Sequence, residues 1–134
     1  MLAVTVDSNV YISALLFGGK PLEVLERAIA GEIVISISEE ILTETLRVLR
    51  QKFRLPDDRL LQAREYIEAC TQSVRPTRSL NVVPEDPDDN RVVECAVASG
   101  SALIITGDHD LLRRTRLEGI DIVGVSDFLN RSAP

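Results

Sequence analysis

Short apolar runs rich in β-branched residues recur along this chain, and each is too short to be a buried helix. Leu2–Val6 (LAVTV), Ile33–Ile37 (IVISI), residues 102–106 (ALIIT) and residues 120–125 (IDIVGV) are the clearest. Runs of this length and composition read as buried strands. Between them lie longer segments with apolar residues at three- and four-residue spacing, the pattern of helices packed by one face. Strands separated by helical crossovers pair in parallel, with helices on both faces of the sheet. The predicted class is α/β, three layers in α/β/α order around a central parallel sheet of about four to five strands.

The local signals fill in this frame. Ser8 caps a helix carrying Val10, Ile12, Leu15 and Leu16 that ends near Gly18 and Gly19, and Pro21 sits in the first turn of a second helix, stopped at Gly31. Ser36 or Ser38 caps a helix over 39–53 with Ile41, Leu42, Leu46, Leu49 and Phe53 on its stripe, and Pro56 restarts a helix that runs to about Gln72. Residues 74–87, with Pro76, Pro84 and Pro87, predict an extended loop with a short strand near 74–77. A helix over 88–99 stopped by Gly100, a helix over 109–118 capped by Asp108 and closed by Gly119, and a final turn capped by Ser126 complete the chain. All 134 residues form a single domain on this reading.

No run approaches the ~20 apolar residues of a membrane span, and no signal-peptide pattern opens the chain. Cys70 and Cys95 fall in helical patterns without metal-ligand spacing. Buried free thiols in a cytoplasmic protein is the reading that follows. The net charge of −6 argues mildly against nucleic-acid binding. That argument weakens if several carboxylates share one compensating ion.

The aspartates recur where this architecture would gather them. Asp7 follows the run 2–6 and Asp108 follows the run 102–106. Parallel strands bring those carboxyl ends to one edge of the sheet, where open α/β folds bind ligands. Asp89 lies in the first turn of the helix over 88–99 and shares the face of Val92, Val93 and Ala96, which packs on the sheet. Asp86 and Asp88 read as turn and cap residues. Glu44 lies beside Ile41 and Val48 at the edge of its helix's apolar stripe, and Glu40, one turn earlier, could serve instead.

Taken singly, Asp7 and Asp108 are ordinary N-caps and Asp89 an ordinary first-turn acid. Capping does not require the capped ends to converge, however. Converging carboxylates raise one another's proton affinity unless a cation lies among them. Hard oxygen donors without a Cys/His set favour Mg²⁺ or Mn²⁺ over zinc. That donor set suits metal-assisted hydrolysis of phosphodiesters by water, with no covalent enzyme intermediate.

Four segments together resemble the motifs of the PIN domain: Asp7-Ser-Asn9-Val, the Ser38 to Leu49 segment with Glu44, Asp86-Pro-Asp-Asp89-Asn90 with Ala96, and Ile105-Thr106-Gly-Asp108-His-Asp110. They run in order over nearly the whole chain and look most like VapC-like toxin components of prokaryotic toxin–antitoxin systems. The resemblance implies a Mg²⁺- or Mn²⁺-dependent endoribonuclease. Its acidic quartet maps onto Asp7, Glu44, Asp89 and Asp108 as metal-holding, catalytic residues, which chooses Glu44 over Glu40. Asn9 and Thr106 match supporting polar positions, and Asp110 matches an accessory acid. The family also implies a homodimer or higher homo-oligomer, and an antitoxin whose tail enters the cleft.

Arg47, Arg50, Lys52 and Arg54 form one basic cluster in the sequence, and Arg113, Arg114 and Arg116 another. Arg47, Arg50, Arg113 and Arg114 are candidate RNA contacts through phosphate, against the equal reading of a solvated helix face. Aromatic content of 4% leaves few stacking platforms for single-stranded RNA. Tyr11 is expected to pack on the first helix, and His109, the only histidine, has no assigned role.

A receiver domain would want paired acids after the first strand, and a haloacid-dehalogenase-type phosphatase would want Asp-x-Asp there, but this chain has Asp7-Ser-Asn9. The remaining alternative is a non-catalytic PIN-like module that binds RNA or protein.

Overall fold

In the computed structural model of this chain, residues 1–131 are described. The elements run β1 (Leu2–Val6), α1 (Ser8–Phe17), α2 (Gly19–Ile29), β2 (Ile33–Ile37), α3 (Glu39–Gln51), α4 (Asp57–Cys70), β3 (Thr71–Ser73), α5 (Pro87–Ser99), β4 (Leu103–Ile105), α6 (His109–Leu112), β5 (Arg116–Leu117), β6 (Ile120–Val123) and α7 (Val125–Arg131). The strands form one sheet in the order β3-β2-β1-β4-β6-β5. Every pairing is parallel except β5 with β6. The predicted parallel sheet is therefore present, with five parallel strands and a sixth, short antiparallel strand at its edge.

From β1 the chain passes outward to β2 and β3 on one side, then returns to lay β4 on the other. The strand order thus reverses between β1 and β4, and the crevice beyond their carboxyl ends is where such sheets bind ligands. Val4 sits opposite both Ile35 and Leu103 in register, and Val6 opposite Ile105. Val4, Val6, Ile35, Ile104 and Ile105 are fully buried. A strand buried on both faces has to be apolar throughout, which explains the unbroken runs in the sequence. Helix α5 packs against β1, β2 and β4, holding its N-terminus near the same crevice. Among the described residues no helix is long and apolar enough to cross a membrane.

Three local expectations are corrected, and the choice between Ser36 and Ser38 is settled. Helix α4 stops at Cys70, and β3 begins at Thr71 rather than near residue 74. Thr71 is extended and pairs with Ile35, so sheet pairing overrides the helical pattern there. Helix α6 ends at Leu112 instead of running to 118, because residues 116–123 form a hairpin. Its two-residue turn, Glu118-Gly119, has positive φ at both positions (51° and 79°), as a type I′ turn requires. Ser38, not Ser36, caps α3, accepting a hydrogen bond from Ile41 N at 3.3 Å. Ser126 lies inside α7 and does not cap it.

Glu118 holds a left-handed backbone that costs a non-glycine residue about 1 kcal/mol. Asn tolerates that conformation, so Glu118→Asn is expected to raise stability by roughly 0.5–1 kcal/mol. A urea midpoint unchanged or lowered in this variant would count against the hairpin.

Candidate active site

Each strand end at the crevice carries a polar group that the fold holds by side-chain hydrogen bonds. Asp7 directly follows β1 and is 4% exposed. Its Oδ1 accepts from Ser8 N at 2.7 Å, and its Oδ2 accepts from Thr106 Oγ1 at 2.8 Å and from Asn9 Nδ2 at 3.1 Å. Thr106, just past β4, also accepts from Asp108 N at 3.0 Å, while Asn9 Oδ1 accepts from Gly107 N at 3.0 Å. Asn9 and Thr106 thus tie the end of β1 to the end of β4 and fix the spacing of Asp7 and Asp108. Asp108 caps α6 through Leu111 N at 3.3 Å.

The third element arrives as the N-terminus of α5. Asp86 caps it, accepting from Asp88 N at 3.1 Å and Asp89 N at 3.4 Å. Asp89, one turn in, is 5% exposed, and its Oδ2 is buried with no hydrogen-bond partner. The loop leading in is pinned by Asn90, which accepts from Val83 N and donates to Val83 O, both at 2.8 Å. Glu94 adds a further tie, accepting from Leu80 N at 2.7 Å. These contacts explain how a proline-rich loop delivers Asp86 to a set position.

Asp86, Asp89 and Asp108 each offer a carboxylate oxygen within 4.8 Å of the others. These three carboxylates are close enough to hold one cation. Asp7 and half-buried Glu44 line the same cavity, of about 330 Å³, with Asp88, Asn9, Lys52 and Phe53. In the sequence Asp86 has the signature of a helix cap alone. Its spacing of three from Asp89 was the available signal, since N-cap and third helical residue lie on one side of a helix. Asp110 is not brought into the cavity, because two residues along a helical turn it faces away and pairs with Arg113 at 3.2 Å. His109 is exposed and lies outside the lining.

Burial, helped by the charges of Asp108 and Asp86, raises the Asp7 carboxyl above its ordinary value, although Thr106 and Ser8 oppose the shift. Burial also raises Asp89 to about 8, reinforced by the neighbouring Asp108 carboxyl and by the charges of Asp7 and Asp86. Glu44 is pushed up to about 7 by burial and then by Asp88 and Asp7. Proton affinity raised at several neighbouring acids is the mark of negative charge gathered without a counter-charge. An all-oxygen donor set with an orphaned buried carboxylate oxygen fits a hard divalent cation.

The candidate phosphate-binding arginines are ion-paired within the chain. Arg47 lies 4.0 Å from Asp88, Arg50 pairs with Asp57, and Arg114 pairs with Glu85. Together with Arg113, none of the four lines the carboxylate cavity.

A family model described as PIN domain matches residues 3–110. Comparison with curated protein sequences finds no match. The fold is similar to the crystal structure of VapBC2 from Rickettsia felis bound to a DNA fragment from their promoter, at 14% identity over 92% of this chain and 98% of that chain, with a TM-score of 0.69. It is similar to DNA-bound VapBC from Salmonella typhimurium, at 17% identity over 93% and 99%, with a TM-score of 0.68. PAE2754 from Pyrobaculum aerophilum matches at 19% identity over 97% and 96%, with a TM-score of 0.62.

Two outcomes follow from this geometry. Raised carboxyl values mean that the native state holds more protons than the unfolded chain between the unfolded value near 4 and about 8 for Asp89. Stability of the chelator-treated protein should therefore fall as pH climbs through that window. Asp89→Asn should flatten the slope and raise the thermal midpoint at pH 8, and an unchanged slope would refute the charge argument. Thr106→Val keeps shape but removes the donor to Asp7 and the acceptor for Asp108 N. It is expected to cost roughly 1–3 kcal/mol in urea unfolding and to weaken Mn²⁺ binding by calorimetry.

Proposed function

This chain belongs to the PIN-domain family, and on that premise we propose that it is a Mg²⁺- or Mn²⁺-dependent endoribonuclease. The observation that carries the reading is the cluster of Asp86, Asp89 and Asp108 beside Asp7 and Glu44, with one buried carboxylate oxygen left unpartnered. Asp89 and Asp108, with Asp7 and Asp86 alongside, are the residues that would hold the ion. When bound, such an ion offsets charge on phosphate oxygens and lowers the pKa of water.

The chain's own residues do the rest. Thr106, Asn9 and Ser8 hold Asp7 in one orientation, so that its lone pairs point at a set position. Glu44 lines the cavity without belonging to the tight triad, which suits it to accept the proton of the attacking water. Water attack on phosphorus then breaks one P–O bond, and the leaving oxygen departs with a proton. No side chain becomes covalently attached.

The VapBC neighbours support a protein partner of antitoxin type acting on this cleft. Homo-oligomer formation and a cytoplasmic location belong to the same reading.

Incubation of end-labelled RNA with Mn²⁺ or Mg²⁺ tests the assignment. Asp7→Asn and Asp89→Asn should each lower kcat on the order of 10²–10³-fold, and chelator should abolish cleavage. Cleavage by the variants equal to that of the wild type would mark a contaminating nuclease. RNA binding without turnover under any divalent ion would favour the non-catalytic module.

A further inference from the structure

The carboxylate cavity has a second wall of different chemistry. Ile12, Val48, Lys52 and Phe53 line it together with the acids. Phe53 follows the end of α3, where Lys52 N and Phe53 N both turn back to Val48 O and Arg54 adopts a left-handed φ of 56°. That turn takes Phe53 off the helix's buried stripe. It is 38% exposed, and it is not among the residues packed on the hydrophobic core.

The chain has only Tyr11, Tyr66, Phe17, Phe53 and Phe128 as aromatic residues. Tyr11 and Phe128 are fully buried, Tyr66 packs on the core, and Phe17 lies outside the cavity lining. Phe53 is the one aromatic side chain in contact with the carboxylate cavity among the described residues. Lys52 is the one cation lining it, with its ammonium 5.7 Å from the Phe53 ring centroid. Unlike Arg47, Arg50, Arg113 and Arg114, Lys52 makes no ion pair among the described residues.

We propose that Phe53 and Lys52 form a nucleotide subsite beside the carboxylates, in which Phe53 stacks an unpaired base flanking the cleaved bond and Lys52 pairs with an adjacent phosphate. An exposed aromatic ring at the edge of a site for phosphodiesters matches how single strands are held: bases on rings, backbone on cations. Stacking on a side chain needs a base out of its helix, so the subsite selects single-stranded RNA over duplex. An antitoxin-type protein segment is the competing occupant of this wall. The Lys52 ammonium, outside any ion pair among the described residues, favours phosphate, and the exposed Phe53 ring beside it offers a base a stacking face. The inference rests on the ribonuclease reading for the identity of the strand, and its test separates the two.

The probe is a set of single-stranded RNAs of mixed sequence, each carrying 2-aminopurine at a different successive position and each compared with the same strand abasic there, so that the stacked position is found by fluorescence quenching whether or not the strand is cleaved. Phe53→Ala should weaken binding and lower kcat/KM on the order of tenfold or more on the intact strand. It should have little effect on the abasic strand or on the duplex. Phe53→Trp should restore the loss, and circular dichroism with urea unfolding should show both variants folded as the wild type. Lys52→Gln should reduce the slope of log Kd against log salt by about 0.7.

Equal loss on intact and abasic strands, or no loss on either, would overturn the subsite while leaving the nuclease assignment to Asp89→Asn. Phe53-dependent, base-dependent binding without cleavage in Mn²⁺ or Mg²⁺ would uphold the subsite and remove the nuclease. Phe53→Ala that spares RNA binding but releases a co-purified protein would give the wall to a protein partner and overturn the proposal.

Discussion

The hydroxyl of Thr106 is the joint on which the site depends. It donates to Asp7 Oδ2 and accepts from Asp108 N, so one side chain joins the ends of two adjacent parallel strands. Asn9 doubles the joint through Asp7 and Gly107 N. Parallel strands alone would bring Asp7 and Asp108 to the same edge. The hydrogen bonds set how their carboxylates face. The crevice exists because strand order reverses between β1 and β4, so the connections from their carboxyl ends run in opposite directions.

The energetic tension of the molecule is concentrated in the same place. Apolar strands buried on both faces supply the stability that lets a small region hold several carboxylates together. The counterpart is proton affinity raised at Asp7, Glu44 and Asp89, and a buried oxygen of Asp89 that no protein group satisfies. A protein without use for a cation would gain by losing one of these acids. The net charge of −6 is in part a property of this site, which is why it speaks weakly against an anionic substrate. Local charge matters more here than total charge. Arg47, Arg50, Arg113 and Arg114 are ion-paired among the described residues, while Lys52 at the cavity is not.

Much of this was legible from residue order. The unbroken β-branched runs dictate buried parallel strands, since only a strand covered on both faces is apolar at every position. Asp7, Asp108 and Asp89 could be placed near one edge from strand ends and helical phase. Glu44 could not be separated from Glu40 by spacing, because both lie beside the apolar stripe. The choice came from resemblance, and the structure puts Glu44 in the cavity with Asp7. Asp86 illustrates a different limit. Its capping role is visible in the sequence, but a cap and a member of a carboxylate cluster have the same local signature. The β5–β6 hairpin failed for a related reason, since Glu118-Gly119 is a weaker turn signal than Asn-Gly and the helical pattern before it continues without a break.

Hydrophobic period and capping chemistry are short-range properties, so the four buried strands, most of the helices and the edge at which acids gather can be read from residue order, whereas β5 and the end of α6 cannot. Tertiary structure alone decided which acids meet, which arginines are paired, and which aromatic side chain reaches the site. Those are distances between residues far apart in the chain, set by hydrogen bonds such as Thr106 to Asp7 and by a proline-rich loop pinned through Asn90. Spacing along the chain does not encode such distances.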